Sequence, residues 1–147
     1  MDHWSKKLPK DSRPEVVGWC RTQPSLNAAW RSCARGDWML WLVWRLARTL
    51  VARQRAALAN CLVARSVLHL AAFGEERPRL AIEAVEAWAR GEVDLSVVRS
   101  AASASAASAA SAASAYAYAD AARDHSLAKS ADLVRQVFSR PPRLVSR

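Results

Sequence analysis

Apolar residues recur along this chain at steps of three and four, the spacing of one face of an α-helix. The first such segment opens at Pro14, a residue suited to the first helical position, with Glu15 in the first turn and Val16, Trp19 and Cys20 on one face. Pro24 breaks the chain. Ser25 is placed to cap a second helix, SLNAAWRSCAR, which turns Leu26, Ala29, Trp30 and Cys33 inward and is expected to end at Gly36. Asp37 then reads as the cap of a third helix, WMLWLVWRLARTLVARQ, apolar on every side over its first two turns. A helix of that kind has to be covered all round, which makes it the central element. With only Gly36 before it, a tight turn would pack it on the second helix.

From about Arg55 to Ala72 the pattern continues through Leu58, Cys61, Leu62 and Leu68, and a break from the preceding helix is expected near Gln54, although no residue marks it. Gly74 stops this run and Pro78 starts the next, RPRLAIEAVEAWAR, with Leu80, Ile82, Val85, Trp88 and Ala89 on its core side, Glu83 and Glu86 outside, and Gly91 as its end. Asp94 caps the last long segment, which begins with Leu95, Val97 and Val98 and closes with Leu127, Leu133, Val134, Val137 and Phe138; a break is expected near Ser126 or Ser130. Pro141 and Pro142 forbid helix beyond it.

Between those ends lies SAASASAASAASAASAYAY, Ser100 to Tyr118, made only of alanine, serine and two tyrosines. At about 100° per residue, Ser100, Ser103, Ser108, Ser111 and Ser114 fall in one arc, Ser105 opposite, and alanines fill the facing arc. The serines mark a wet face. The alanine face lets a neighbour approach closely, and some of Trp38, Trp41, Trp44 and Trp88 are expected to supply the bulk that fills it. On that reading Leu at Ala109 or Ala113 overpacks the fold, whereas Ser111→Ala is silent. Alanine and serine gain too little from lipid for this stretch to be a membrane span, and WMLWLVW is too short for one. Together these elements predict an all-α, single-domain bundle of about six to seven helices, a long Ala/Ser-rich helix packed on a tryptophan-rich core. Residues 1–13 read as a flexible basic arm, 14–139 as the helical domain and 140–147 as a basic C-terminal tail.

Charge adds a second layer. The chain of 147 residues carries a net +9, divided as +4 over residues 1–36, +4 over 37–72, −2 over 73–99 and +3 over 100–147. The excess makes weak nucleic-acid binding plausible, or binding to another anionic surface, but the arginines are scattered and not gathered into a tract. On an unbroken helix Arg45, Arg48 and Arg55 would fall within about 80° and form a basic stripe, either solvated or facing an anionic partner. Glu75, Glu76, Arg77 and Arg79 form a charged helix entry, read either as a cap with surface ion pairs or as a partner-binding cluster.

Catalytic and metal-binding patterns are not in the sequence. His3, His69 and His125 lack HxxxH or HExxH spacing, and Cys20, Cys33 and Cys61 lack CxxC spacing. Cys61 and His69, eight apart, would stand two turns from each other on one helix, beyond hydrogen-bond reach. Packing is the reading for all three thiols, and no cofactor or metal is expected. The N-terminus MDHWSKKLPK has no apolar run after its charges, which with the unpaired cysteines points to a reduced, cytoplasmic setting.

One resemblance gives a direction. At SLNAAWRSCARGDWMLWLVWRL and FGEERPRLAIEAVEAWARGEVDLSVVRSAA, and most specifically at Gly36-Asp37-Trp38, Gly74 to Arg79 and Trp88-Ala89-Arg90-Gly91, the chain resembles the immunity-protein-five-like family of bacterial and phage proteins over residues 16–138. That resemblance implies an all-helical, non-enzymatic binding protein of a toxin–immunity locus, which neutralises a cognate toxin by direct binding. The alternatives are a basic helical nucleic-acid-binding protein and a structural or accessory protein of a phage or genomic island. A nuclease blocker would be acidic, in imitation of nucleic acid, so the +9 charge suggests an acidic or neutral target.

Overall fold

The computed structural model describes residues 2–70, 73–101 and 120–144, with only the backbone at Leu70 and residues 120–125. The chain is all-α, and no strand occurs among the described residues. The described residues include, in order, α1 (Pro14–Arg21), α2 (Leu26–Ser32), α3 (Gly36–Leu46), α4 (Leu50–Val67), α5 (Arg77–Ala89) and α6 (Asp120–Val137). Residues 95–101 are also helical. Short 3-10 turns stand at Trp4–Lys7 and Leu68–Leu70. The serines of the Ala/Ser stretch after Ser100, the positions Ala109, Ala113 and Ser111, and the alanine face expected to receive tryptophans lie outside the described residues.

Local chemistry sets the helix ends. Pro14 stands in the first turn of α1, and Ser25 caps α2 by accepting a bond from Ala28 N at 3.1 Å. The second helix, expected to run to Gly36, stops at Ser32, because Cys33 turns extended at ψ 124°. Arg135 of α6 holds that end. Its guanidinium donates to Trp30 O at 2.8 Å and Cys33 O at 2.9 Å, satisfying carbonyls that a helix terminus leaves bare. Gly36 is therefore the first residue of α3 and not the end of α2. Asp37 is not the cap either, since its carboxylate takes the Arg35 fork at 2.9 and 2.7 Å.

Gly36 is there for space. A Cβ on it would lie 2.5 Å from Ser130 Cβ and 2.6 Å from the backbone of Ala131, so α3 begins pressed directly on α6. The expected partner, α2, is replaced by α6 and, less extensively, α4. Met39, Leu42 and Val43, at i, i+3 and i+4, turn inward to join Cys20, Trp30, Cys33, Ala56, Ala131 and Val134 in one core. Trp19 and Trp38 meet at a ring separation of 5.9 Å, with the Arg35 guanidinium 4.5 Å above Trp38.

The break after α3 comes at residues 47–49, earlier than the expected Gln54. Ala47 turns extended at ψ 97°, and Thr49 restarts the helix by accepting from Ala52 N at 3.1 Å. Alanines form the inner face of α4: Ala56, Ala57 and Ala59 are buried, and the helix packs on both α5 and α6. Gly74 and Gly91 hold φ of 79° and 75° on either side of α5, a backbone region that glycine enters without strain. Asp94 accepts from Ser96 N at 2.8 Å at the start of the helical residues 95–101. No break interrupts α6 at Ser126 or Ser130; the Ser130 hydroxyl donates back to Ser126 O at 2.7 Å, inside a continuous helix.

The outermost described residues at both ends pack on the helices. Residues 2–13, expected as an arm, are docked: Trp4 Nε1 donates to Gln23 O at 2.9 Å, while Ser5 and Leu8 are buried. At the other end residues 141–144 are non-helical, as the prolines require, and Leu144 packs against the core.

Alanine at position 36 should destabilise the protein by about 1 to 3 kcal/mol, because α6 backbone has to move. Gly18 in α1 has nothing within 4 Å of its Cβ direction. There alanine should stabilise by ~0.5 to 1 kcal/mol through helix propensity alone. Urea denaturation of the two variants tests the pair, and a stabilised Gly36→Ala would remove the close contact from the account.

Candidate binding surface

The charged entry to α5 is turned on itself. Arg77 pairs with Glu75, and Arg79 pairs with Glu76 and reaches Glu83 at 2.6 Å. Hydrogen bonds from Arg77 hold the Glu75 carboxyl down at about 2. All of these groups lie at the surface, where such pairs contribute little to stability. Their geometry fits the reading of this cluster as surface ion pairs, each charge answered by a neighbour, while Glu76 at the N-cap makes no side-chain capping bond.

Glu86, expected to face outward, instead points at α4, where Arg65 grips it with two bonds of 2.7 Å. That fork lowers the Glu86 carboxyl below the ordinary range. Cys61 lies on the same helix interface and directs its thiol to Ile82 O at 3.8 Å. Burial pushes the Cys61 and Cys20 thiols up to about 11, and Cys33 is raised as well, so all three stay protonated near neutrality. All three are free and buried. Among the described residues no three His, Cys, Asp or Glu side chains gather as metal ligands, and no helix is long and apolar enough to cross a membrane.

The stripe of Arg45, Arg48 and Arg55 does not form, because the break at residues 47–49 sends them to different places. From α4, the Arg55 side chain reaches the end of α6: it donates to Val137 O at 2.9 Å and lies 4.8 Å over the Phe138 ring, a cation at a helix C-terminus. Arg45 pairs with Asp11 at 2.9 Å, and Arg48 stands exposed in the connector. Arg45 and Arg48 nonetheless share a surface. Together with Lys6, Lys7 and Lys10 they line a concavity of about 640 Å³ between the docked N-terminal segment and the end of α3.

Lys6 is paired to Asp2 at 2.6 Å, but Lys7, Lys10 and Arg48 form no ion pair with the described residues. Reading residues 1–13 as an arm hides the three lysines from the sequence. The signal that could have found them is Trp4 with Leu8, two apolar side chains four apart in an otherwise polar segment. A second, more apolar hollow lies between α4, α5 and residues 95–98, with Trp44, Ile82, Val85, Trp88, Leu95 and Val98 in its wall.

The Arg65–Glu86 contact has a defined pH signature. A carboxyl depressed in the folded state contributes stability above its ordinary value near ~4.3, and that contribution is lost as pH falls through the folded value. Glu86→Gln should therefore flatten the acid limb of the stability–pH curve, and a double-mutant cycle with Arg65→Leu should give a coupling of roughly 0.5 to 1 kcal/mol at neutral pH. Unchanged acid sensitivity in Glu86→Gln would assign that limb to other carboxylates. Comparison with protein-family models, with curated proteins and with solved structures finds no match to this chain.

Proposed function

We propose that this chain is a non-enzymatic, cytoplasmic binding protein of the immunity type, which neutralises a toxin by covering part of its surface. The observation that carries this reading is the cationic concavity. Lys7, Lys10 and Arg48 are held at one surface without carboxylate partners among the described residues, while the acidic and basic side chains of the α5 entry are spent on one another. Like charges gathered by folding raise the potential of that face and favour an anionic partner. The resemblance over residues 16–138 supports a protein as that partner.

The same concavity and the net +9 favour a second reading, binding to nucleic acid. Salt separates the two. If binding rested on six or more phosphate contacts, affinity for DNA would fall roughly a thousandfold between about 50 and 200 mM salt. An immunity complex has an apolar centre and is far less sensitive. Co-expression with the product of the adjacent reading frame should restore growth that this product alone arrests, and the two proteins should co-purify at high salt. Loss of growth despite co-expression, together with DNA affinity of the steep salt dependence, would replace the immunity reading with the nucleic-acid one.

A further inference from the structure

The corner between α3 and α4 carries an apolar pair that the fold leaves in water. Leu50 and Val51, the first two residues of α4, are 61 and 65% exposed. Burying aliphatic side chains of this size is favourable, and folding forgoes much of that gain at two adjacent positions. Trp44, the last tryptophan of α3, is 39% exposed. The break explains the exposure: Thr49 restarts the helix outside the body, and the alanines from Ala56 onward make the first buried contacts.

Arginines flank this pair along the chain. Arg45, Arg48 and Arg53 all lie within the same ten residues and are exposed; Arg48 borders the concavity with Lys7 and Lys10, and Arg53 borders the hollow that Trp44 lines. Arg48 and Arg53 have no ion pair among the described residues. An apolar centre with a charged rim is the anatomy of a protein interface, and tryptophan and arginine are the side chains that most often dominate its energy.

We infer that the α3–α4 corner is a docking surface for an acidic protein, with Leu50 and Val51 at the apolar centre and Arg45, Arg48, Arg53, Lys7 and Lys10 on the rim. This rests on the binding reading above and adds to it the surface and the chemistry of the partner. Phosphate backbone would answer the cations but leave Leu50 and Val51 without an apolar counterpart. A bilayer could take up the two aliphatic side chains, yet its flat surface does not enter the adjoining concavity of about 640 Å³. An acidic protein with an exposed apolar patch meets both features at once.

The test uses the full chain and defined probes: an amphipathic Glu/Leu peptide, a Glu/Ser peptide of equal length and charge, a short single-stranded DNA, and phosphatidylcholine vesicles containing phosphatidylserine. The Glu/Leu peptide should bind about tenfold or more tightly than the Glu/Ser peptide. The double variant L50S/V51S should erase that difference and leave Glu/Ser binding as it was, whereas R48E/R53E should weaken both peptides. Because these four positions are exposed, thermal unfolding of each variant should match that of the parent, and that measurement accompanies every binding curve. Equal affinity for the two peptides overturns the inference, as does vesicle binding that depends on Leu50 and Val51 while peptide binding does not. Displacement of the Glu/Leu peptide by DNA, unchanged in L50S/V51S, also overturns it. If the adjacent-frame protein binds L50S/V51S and R48E/R53E as it binds the parent, the docking surface is wrong and the binding function stands. If that protein does not bind the parent at all, the functional reading is what fails.

Discussion

The start of α3 lies so close to α6 that no side chain fits between them, and the rest of the core is arranged around that contact. Gly36 supplies the missing Cβ, and Ser130 and Ala131 are the small residues opposite. Such an approach brings backbone against backbone, where the gain comes from many weak dispersion contacts. It also fixes where neighbouring groups lie. One turn beyond Ala131, Arg135 reaches the carbonyls of Trp30 and Cys33, so the α2 terminus is satisfied by the same helix that receives Gly36. The non-helical residues 33–35 are the bridge that lets both contacts be made at once.

A second consequence runs through α4. Its inner face is built from Ala56, Ala57 and Ala59, and Ala56 joins Ala131 and Val134 in the shared core. Small residues on both helices permit α4 to pack on α6 while α5 packs on α4. The interhelix polar contacts then lie at the edges: Arg55 at the C-terminal end of α6, and Arg65 on Glu86 of α5. Each satisfies a group that would otherwise meet water or stand unpaired, so they orient the helices more than they stabilise them.

Helix existence was legible in the sequence because it follows from periodicity and from caps that act locally. Pro14, Ser25, Pro78, Gly91 and Asp94 all do what their chemistry predicts within a turn of where they stand. The errors have two causes: a deciding partner far away in sequence, or a near neighbour that takes the group first. Gly36 looks like a helix stop until Ser130 is placed against it, and Asp37 looks like a cap until Arg35 takes its carboxylate. Thr49 is a competent cap, but its role is hidden inside a helical pattern of apolar residues and arginines that continues on both sides. The candidate surface is obscured in both ways: reading α3 and α4 as one helix sets Arg55 beside Arg45, and reading residues 1–13 as an arm leaves Lys6, Lys7 and Lys10 unplaced.

Both misplacements concern the same few residues, and their correction changes what the positive charge does. Net charge alone speaks to solubility and long-range attraction, and says nothing about where a partner would sit. Once Trp4 and Leu8 dock the first segment, its lysines cannot spread away from Arg45 and Arg48, and their mutual repulsion becomes a cost borne by the folded state. Asp2 and Asp11 relieve part of it by pairing with Lys6 and Arg45. Screening by salt relieves more, since the groups are exposed and the Debye length is only about 8 Å under physiological conditions. What remains is concentrated at Lys7, Lys10 and Arg48, beside the uncovered Leu50 and Val51. An anionic partner with an apolar patch, docked as inferred above, would remove the residual repulsion and the exposure of Leu50 and Val51 in one event.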